Sequence, residues 1–398
     1  MPGFTCRVCP VSYQWIDQYS QLESVMEQLQ NCSRLAVDTE FVRTNTYYSR
    51  PGLLQIAGPD QQVYLVDPTA FSAEQLQPLG QRLFAADSEL LMHSAGEDLD
   101  IFLALWNQLP TRLFDTQIAA SLVGYDRQMG LQRLLFEMIG VELSKEETRS
   151  DWLQRPLTAK QLHYAEADVK YLHQVADILR EKLDRAGRMS WFEEECSQLV
   201  QKYLNKTPDD QLYLGFGGGW KLKPQQQAAL RHLAQWREQT ARDRNIPKTF
   251  IAKDANLYAL VEKKPRNRGQ LAELGFQGSQ IRRYGDQLLV QLDAGLEAPV
   301  PEVLIPRPLT KAQQKDYKAL REVVGGRAAA LGVPADLLAS KAQLVSYLKA
   351  RFAGTIDQDS PFIGGWRATA LQPWLDEYEL PSNSSDANNN NQDNETDD

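Results

Sequence analysis

Two carboxylates stand at alternate positions in a short apolar segment of the chain. The segment from Leu35 to Val42 is rich in β-branched and apolar residues, and it contains Asp38 and Glu40. Side chains along a β-strand alternate between its two faces, so these two carboxylates are predicted to share one face. Two like charges side by side repel each other, and a divalent cation would remove that repulsion. Alone, however, an Asp-x-Glu pair does not identify a metal site.

A second acidic group follows a predicted buried strand. Residues 90–92 are apolar, and a Ser/Gly turn then leads into a helix whose first turn contains Asp98. The helix dipole favours an acidic residue at that place, which explains Asp98 without any chemistry. His93 is expected to support this turn, and Asp115, at a later junction of strand and helix, is expected to cap a helix together with Thr116.

A third segment carries a tyrosine and a carboxylate on one helical face. Residues 157–172 are helix formers, with Thr158 as the predicted N-cap. Four residues separate Tyr164 from Asp168, which corresponds to a rotation of about 40° between them, whereas five residues place His163 about 140° from Asp168. A tyrosine on such a helix is commonly a core residue with a hydrogen-bonded hydroxyl, so this segment alone does not decide its role.

Together, the three segments resemble the exonuclease blocks of the ribonuclease D family, which are Asp-Glu-Asp-Asp exonucleases with a tyrosine in the last block. The blocks read D-T-E-F-V-R-T-N-T-Y-Y, L-M-H-S-A-G-E-D-L-D-I-F and L-T-A-K-Q-L-H-Y-A-E-A-D-V-K-Y-L. The resemblance covers residues of about 14–205 and includes the segment 148–156. Residues 222–295 resemble the helicase-and-ribonuclease-D C-terminal (HRDC) domain, and 308–380 resemble a second, more divergent copy.

The resemblance implies an α/β RNase-H-like exonuclease domain, a mixed five-stranded sheet flanked by helices, followed by two all-α HRDC-like helical domains. Carried over position by position, it implies that the metal ligands and catalytic carboxylates are Asp38, Glu40, Asp98 and Asp168. It also implies that Tyr164 orients the attacking water. His163 fits the H-x4-D spacing of the sister group that uses a histidine base, but the surrounding sequence favours the tyrosine.

Carboxylates from three segments suit the hydrolysis of a phosphodiester by two divalent cations, Mg²⁺ or Mn²⁺. Hard oxygen ligands favour those ions, of which one would lower the pKa of the attacking water and one would stabilise the leaving 3′ oxygen. A phenol with an ordinary pKa of about 10 is too weak a base to accept the proton, so the expected role of Tyr164 is to orient the water. Such a site needs no Ser, Cys or His nucleophile.

Substrate contacts are expected on and just after the metal-binding strand. Phe41 or Leu54 could wedge against a base of the terminal nucleotide, and Arg43 could contact a phosphate. The predicted substrate-binding residues are Thr39, Phe41, Arg43, Leu54 and Gln55.

The charge of the chain is divided unevenly along its length. The net charge is −9, yet residues 220–290 carry 14 basic and 6 acidic residues, while residues 1–205 carry 18 basic and 28 acidic residues. A basic module of this kind is typical of a surface that binds a polyanion. The predicted parts are an exonuclease domain (1–205), a Gly-rich hinge (206–221), a helical nucleic-acid-binding domain (222–295), a Pro-rich linker (296–308), a second helical domain (309–381) and a disordered tail (382–398).

Length and composition exclude several classes of protein. The 398 residues, 42% hydrophobic and 24% charged, are too many for one small module and too apolar for a disordered chain. The sequence shows neither a membrane-spanning apolar run nor a signal peptide, and four cysteines are too few for a disulfide framework. Cys6 and Cys9 form an isolated pair without further zinc ligands nearby. A cytoplasmic protein is predicted.

The combined interpretation is a metal-dependent 3′–5′ exoribonuclease that releases nucleoside 5′-monophosphates. Its expected partner is RNA with a free 3′ end, such as a tRNA precursor. It is expected to be a monomer and not to bind a membrane. A DNA 3′ exonuclease would use the same chemistry, and only the family resemblance favours RNA. A non-catalytic RNA-binding scaffold on the same fold would lack one of the four carboxylates, and all four are present.

Overall fold

The computed structural model describes residues 13–143, 150–355, 360, 362 and 364–377. Three features of the sequence therefore lie outside the described residues: the Cys6 and Cys9 pair, the start of the family segment at Thr148 and Arg149, and the acidic tail 382–398. Among the described residues, no helix combines the length and the apolar character needed to cross a membrane.

The N-terminal half is built on one mixed sheet, whose strand order is β1-β4-β3-β2-β5-β6. β2 pairs antiparallel with β3 on one side and parallel with β5 on the other, so it lies near the centre of the sheet. Its residues 35–37 are fully buried, which explains why this part of the strand is apolar. The strands are β1 (Tyr13–Ile16), β2 (Arg34–Val42), β3 (Arg50–Ala57), β4 (Val63–Val66), β5 (Glu89–Met92) and β6 (Leu113–Asp115).

The prediction of a mixed sheet flanked by helices is confirmed, but the predicted number of five strands is wrong. Six strands are found in the part of the chain that the structure describes. The two edge strands, β1 and β6, have only four and three residues. Strands this short show little of the alternation by which a strand is recognised in a sequence, so their number could not be predicted well.

Eight α-helices accompany the sheet within the described residues, and two of them carry predicted site residues. Helix α3 follows β5 and begins beside Asp98, as predicted. Helix α6 is capped by Thr158, whose hydroxyl accepts a hydrogen bond from the Gln161 N–H, which confirms the predicted cap. The helices are α1 (Tyr19–Leu29), α2 (Ala73–Leu83), α3 (Gly96–Trp106), α4 (Thr116–Leu122), α5 (Leu131–Ile139), α6 (Ala159–Lys170), α7 (Leu172–Arg185) and α8 (Met189–Leu204).

The rest of the described chain is helical, as predicted. Two helices of 21 residues, α9 and α14, each end in a left-handed cap and lead into a four-residue helix that follows a proline. This shared beginning agrees with the predicted similarity of the two helical segments. The helices are α9 (Pro224–Arg244), α10 (Lys248–Ile251), α11 (Asp254–Lys263), α12 (Arg268–Glu273), α13 (Gly278–Glu297), α14 (Lys311–Leu331), α15 (Ala335–Leu338), α16 (Lys341–Phe352) and α17 (Gly365–Glu377).

The described residues divide into two compact units. The first comprises those up to Ala119, Gly130–Glu181 and Glu195–Pro308, and thus contains the sheet together with α9–α13. The second comprises Ala120–Met129, Lys182–Glu194 and the described residues from Leu309 onward. Within the second unit, the rings of Trp191 and Trp366 stack with centroids 4.7 Å apart. Trp366 at the start of α17 thus packs on the first turn of α8.

The glycine-rich and proline-rich segments that flank α9–α13 pack on these helices. Tyr213 and Phe216 are buried in the same apolar cluster as the helices, and so is Ile305 from the proline-rich segment. A Cβ atom on Gly219 would lie 2.3 Å from the terminal methyl group of Ile305, so this side chain packs directly on the glycine backbone. Both segments therefore belong to the core of this helical module.

Candidate active site

Three carboxylates from two elements meet beside the sheet. One carboxylate oxygen each from Asp38, Glu40 and Asp168 can be chosen so that all three lie within 4.8 Å of one another. Asp38 and Glu40 are on β2, and Asp168 is on α6 with only 8% of its surface exposed. The helix face predicted to carry Asp168 thus points at the strand face predicted to carry the other two.

A side chain on the neighbouring strand β3 supports Asp38 through a hydrogen bond. Gln55 on β3 is the register partner of Asp38, and its Nε2 lies 3.3 Å from the Asp38 Oδ2. Gln55 is fully buried, with 0% exposure, so it supports the carboxylate from inside the fold. A register shift between Glu40 and Phe41 follows, and such an irregularity changes the direction of the strand just beyond the carboxylates.

Asp98 reaches the same region from α3. Its Oδ1 accepts hydrogen bonds from the Thr39 N–H at 3.1 Å and from the Thr39 hydroxyl at 2.5 Å. Asp98 is therefore fixed to the strand residue that lies between Asp38 and Glu40. It lines the same pocket as Asp38, Glu40 and Asp168. Those three carboxylates lie close enough together to share one ion.

Asp115, which the sequence predicted to cap a helix, also holds the turn that precedes Asp98. Asp115 accepts hydrogen bonds from the N–H groups of Gln117 and Ile118 at the start of α4, which confirms the predicted cap. It also accepts hydrogen bonds from the Ser94 and Ala95 N–H groups, at 3.1 and 2.8 Å. One buried carboxylate thus joins two helix starts. The signal for this second role would have been its position at the end of a neighbouring strand.

His93 lies on the wall of this pocket. Its Nδ1 is 2.9 Å from the hydroxyl oxygen of Thr116, which in turn donates to the Met92 carbonyl at 3.0 Å. The ring is thereby attached to the strand end from which the Asp98 turn leaves. This position agrees with the expectation that His93 supports the turn.

The electrostatics of the four carboxylates show that they need a cation. Burial, the largest cause, and the charges of Asp38, Asp168 and Asp98 together raise the pKa of Glu40 to about 10. Burial and the Asp168 charge also raise the pKa of Asp38 well above its usual range, and burial and the Asp38 charge do so for Asp98. A cluster of hard oxygen donors that repel one another is the donor set that Mg²⁺ or Mn²⁺ prefers. The residues present fit such ions.

Tyr164 and His163 both line the pocket, but their surroundings differ. The Tyr164 ring packs against the buried Trp152, with centroids 6.2 Å apart. The His163 side chain is 66% exposed, and its Nδ1 lies 3.8 Å from the Glu166 carboxylate on the same helix. Packing thus restrains the tyrosine beside Asp168, while the histidine extends toward solvent.

A partly buried ion pair holds the segment that carries Trp152, and the sequence analysis did not predict it. The Arg155 guanidinium donates two hydrogen bonds to the Asp67 carboxylate, at 2.5 and 2.6 Å. It also donates to the carbonyls of Gly52 at 2.6 Å and Trp152 at 2.9 Å. Although burial alone would raise the pKa of Asp67, hydrogen bonds from Arg155 and Thr69 lower it overall. The pair joins the segment before α6 to β3 and β4.

The pocket has a volume of about 440 Å³. Of the predicted substrate-binding residues, Thr39 and Phe41 line it. Leu54, the register partner of Thr39, is 1% exposed, and Gln55, the register partner of Asp38, is fully buried; their contact with substrate stays a prediction. Arg43 lines a neighbouring groove. The five residues predicted to be catalytic all line the pocket: Asp38, Glu40, Asp98, Tyr164 and Asp168.

Comparison with known proteins shows similarity along nearly the whole chain. A family model described as a 3′–5′ exonuclease matches residues 13–184, and a model of the HRDC domain matches residues 226–290. Ribonuclease D of Serratia proteamaculans is 34% identical over 91% of this chain and 97% of its own length. Ribonuclease D of Escherichia coli is 32% identical over 92% of this chain and 100% of its own length.

A solved structure is similar to nearly the whole of this chain. The crystal structure of Escherichia coli RNase D, described as an exoribonuclease involved in structured RNA processing, superposes on this chain with a TM-score of 0.82. The match has 31% sequence identity and covers 92% of this chain and 100% of the crystallised one.

Proposed function

Because this chain belongs to the ribonuclease D family and is a 3′–5′ exoribonuclease, we propose that its Asp38, Glu40, Asp98 and Asp168 hold two divalent cations, Mg²⁺ or Mn²⁺. One observation carries the assignment: carboxylate oxygens of Asp38, Glu40 and Asp168 lie within 4.8 Å of one another. Asp98 is bonded to the residue between the first two. When bound, the ions supply activation of the attacking water and charge stabilisation of the leaving 3′ oxygen.

The residues of the chain fix the geometry of the reaction. Thr39 and Gln55 hold two of the carboxylates at set positions, so the ligands are preorganised before the substrate arrives. Tyr164 donates a hydrogen bond to the attacking water and keeps it in line with the scissile bond, while packing on Trp152 restrains its ring. The products are nucleoside 5′-monophosphates released one at a time from the 3′ end.

The substrate is proposed to be RNA with a free 3′ end, such as a tRNA precursor. Support comes from the basic residues of 220–290 and from the HRDC match within this range. Phe41 and Thr39, on the pocket wall, would contact the terminal nucleotide. We further propose that the chain acts as a monomer in the cytoplasm. The proposed parts are the exonuclease domain 1–205, the connecting segment 206–221, the helical domain 222–295, the linker 296–308, the second helical domain 309–381 and the tail 382–398.

The function is tested by digesting RNA and DNA oligonucleotides labelled at either end. With Mg²⁺, 3′-labelled RNA should release its label as a mononucleotide at once, whereas 5′-labelled RNA should shorten one nucleotide at a time. A chelator should stop the reaction, and Asp38→Asn should reduce it by at least about 10²-fold because the ligand set acts as a unit. Internal cleavage of the 5′-labelled RNA, or full activity of Asp38→Asn, would contradict the proposal.

A further inference from the structure

We propose that a groove beside the active-site pocket binds the single-stranded RNA immediately 5′ of the nucleotide that is removed. The groove, called here the tyrosine groove, lies between the loop 43–49, helix α3 and the C-terminal end of α8, and its volume is about 1250 Å³. The inference rests on the proposed function, since it names where the rest of the substrate lies. The residues that carry the argument are Arg43, Tyr47, Tyr48, Lys202, Tyr203 and Lys206.

The groove adjoins the pocket along two elements. Phe41 lines the pocket, and Arg43, two residues further along the same segment, lines the groove. On α3, Glu97 lines the pocket and Asp100, three residues further along the same side of the helix, lines the groove. Phe41 and Arg43 are separated by about 7 Å if the chain between them is extended. An RNA strand that leaves the pocket therefore enters the groove directly.

Tyr203 stands where the two spaces meet. Its hydroxyl lies 3.2 Å from the position that a Cβ atom on Gly96 would occupy, at the first residue of α3. The pKa of Tyr203 is raised by burial and by the charges of Asp100, Glu97 and Asp98, while Arg43 opposes this shift. The phenol is therefore close both to the pocket carboxylates and to the cation of the groove.

The side chains of the groove are those that single-stranded nucleic acid requires. Arg43, Lys202 and Lys206 supply three positive charges, and the Lys206 Nζ lies 3.5 Å from Asp100, the acidic residue of the lining. This positive lining stands out because residues 1–205 as a whole are acidic. Tyr48 is 49% exposed, and a phenol ring of this kind can stack on any base. Cations for phosphates combined with rings for bases indicate RNA in preference to an acidic peptide.

The tyrosine wall is built in advance by the neighbouring helical module. The Asn245 Oδ1 accepts hydrogen bonds from the N–H groups of Tyr47 and Tyr48, each at 3.1 Å. The Tyr47 hydroxyl donates to the buried Glu238 carboxylate of α9. Both partners belong to the first compact unit, as the groove does. The loop is thus held before RNA binds, and less conformational entropy is lost on binding.

The test compares a substrate long enough to fill the groove with one that can place only a single nucleotide there. With the full chain and Mg²⁺, kcat/KM is measured for an adenine dinucleotide and for an adenine hexanucleotide of RNA. Tyr48→Ala should lower the ratio of the hexamer value to the dimer value about tenfold, since stacking on one base contributes about 1–3 kcal/mol. Tyr48→Phe keeps the ring and should preserve the ratio, and so should Tyr19→Ala, at a tyrosine exposed elsewhere.

A second variant tests the charges. Lys202→Ala should make the slope of log KM against log salt for the hexamer shallower by about 0.7, the value for one phosphate contact on a single strand. A hexamer-to-dimer ratio unchanged in Tyr48→Ala, or competition by polyglutamate but not by uncleavable oligoadenylate, would overturn the groove assignment. Failure of the unmodified protein to cleave the hexanucleotide would instead contradict the proposed function.

Discussion

The Asp98 carboxylate accepts hydrogen bonds from both the backbone N–H and the hydroxyl of Thr39, at 3.1 and 2.5 Å. Thr39 lies between Asp38 and Glu40 on β2, so this contact joins a helix and a strand exactly where their carboxylates converge. Thr39 thereby sets the position of a carboxylate that is proposed to bind metal. Groups of this kind commonly contribute 10- to 100-fold to metal affinity or activity.

Thr39→Val removes the hydroxyl but keeps the backbone N–H, so the position of Asp98 should loosen without being lost. We expect the Mg²⁺ concentration for half-maximal activity to rise about 10-fold, while activity at saturating Mg²⁺ recovers to within a few-fold. Asp98→Ala, which removes the ligand itself, should lose at least about 10²-fold at every Mg²⁺ concentration. Titration of both variants with Mg²⁺ measures the difference, and an unshifted Thr39→Val curve would show that the contact is only structural.

The raised pKa of Glu40 predicts how the stability of the metal-free protein depends on pH. Its folded-state pKa, about 10, exceeds the ordinary value of 4.5, so the folded state retains a proton that the unfolded state loses between these two values. The favourable contribution is complete below pH 4.5 and is lost as pH rises toward 10, by up to about 1.4 kcal/mol per pH unit for one group.

Glu40→Gln should therefore flatten the decline of Tm between pH 6 and pH 9 in the presence of a chelator. Mg²⁺ should raise the Tm of the unmodified protein at pH 8 more than it raises that of the variant, because the cation relieves the same repulsion. Thermal unfolding at several pH values, with and without Mg²⁺, provides the comparison. Parallel pH curves for the two proteins would mean that Glu40 is not held in a repulsive cluster.

Local signals predicted the parts of the site that depend on one segment each. The alternation in residues 35–42, the capping residue Thr158 and the spacing of Tyr164 and Asp168 each describe a single strand or helix, and the structure shows those elements. Periodicity determines which residues share a face, so it was enough to place Asp38 with Glu40. The family resemblance, and no local pattern, predicted that the three segments form one site.

The contacts that hold the site together could not be predicted from local patterns, because they join distant segments. Asp67 and Arg155 are 88 residues apart, and Tyr47 and Asn245 are separated by 198. Gln55 was predicted to contact substrate, but its hydrogen bond to Asp38 could not be predicted, since it depends on the register between β2 and β3. Neither the composition of the chain nor the spacing of residues within a segment predicts these contacts.

The Asp67–Arg155 pair should stabilise the protein at neutral pH. Asp67→Asn keeps the shape but leaves the partly buried guanidinium without its counter-charge, at a cost of about 3 kcal/mol. Because the folded-state pKa of Asp67 is lowered, its contribution is present above the ordinary pKa near 3.8 and is lost as pH falls through the lowered value. The Tm difference between the two proteins should be largest near pH 7 and shrink in acid. Asp60→Asn, at an exposed position, is the control.

The amide of Asn245 should keep the loop 43–49 in place. Asn245 has a φ of 47°, a conformation that glycine adopts readily, so Asn245→Gly deletes the amide without straining the end of α9. The Tyr47 and Tyr48 amides should then exchange hydrogen at least about 10-fold faster. Lys264→Gly, at a left-handed cap of the same module with a φ of 51°, should leave their exchange unchanged. Equal exchange in both variants would show that other contacts hold the loop.

The environments of Tyr164 and His163 predict different effects of removing each residue. Tyr164 packs on Trp152 beside Asp168, whereas the His163 side chain is 66% exposed. Tyr164→Phe deletes only the hydroxyl that is proposed to position the attacking water, so kcat should fall by about 10- to 10³-fold while RNA affinity changes little. His163→Ala should lower kcat by less than about threefold. A histidine base would instead give a rate that falls below a pKa near 6.5 and loses this limb in His163→Ala. Rates of both variants from pH 5.5 to 9 separate the two mechanisms, and a large loss in His163→Ala beside a fully active Tyr164→Phe would assign the role to the histidine.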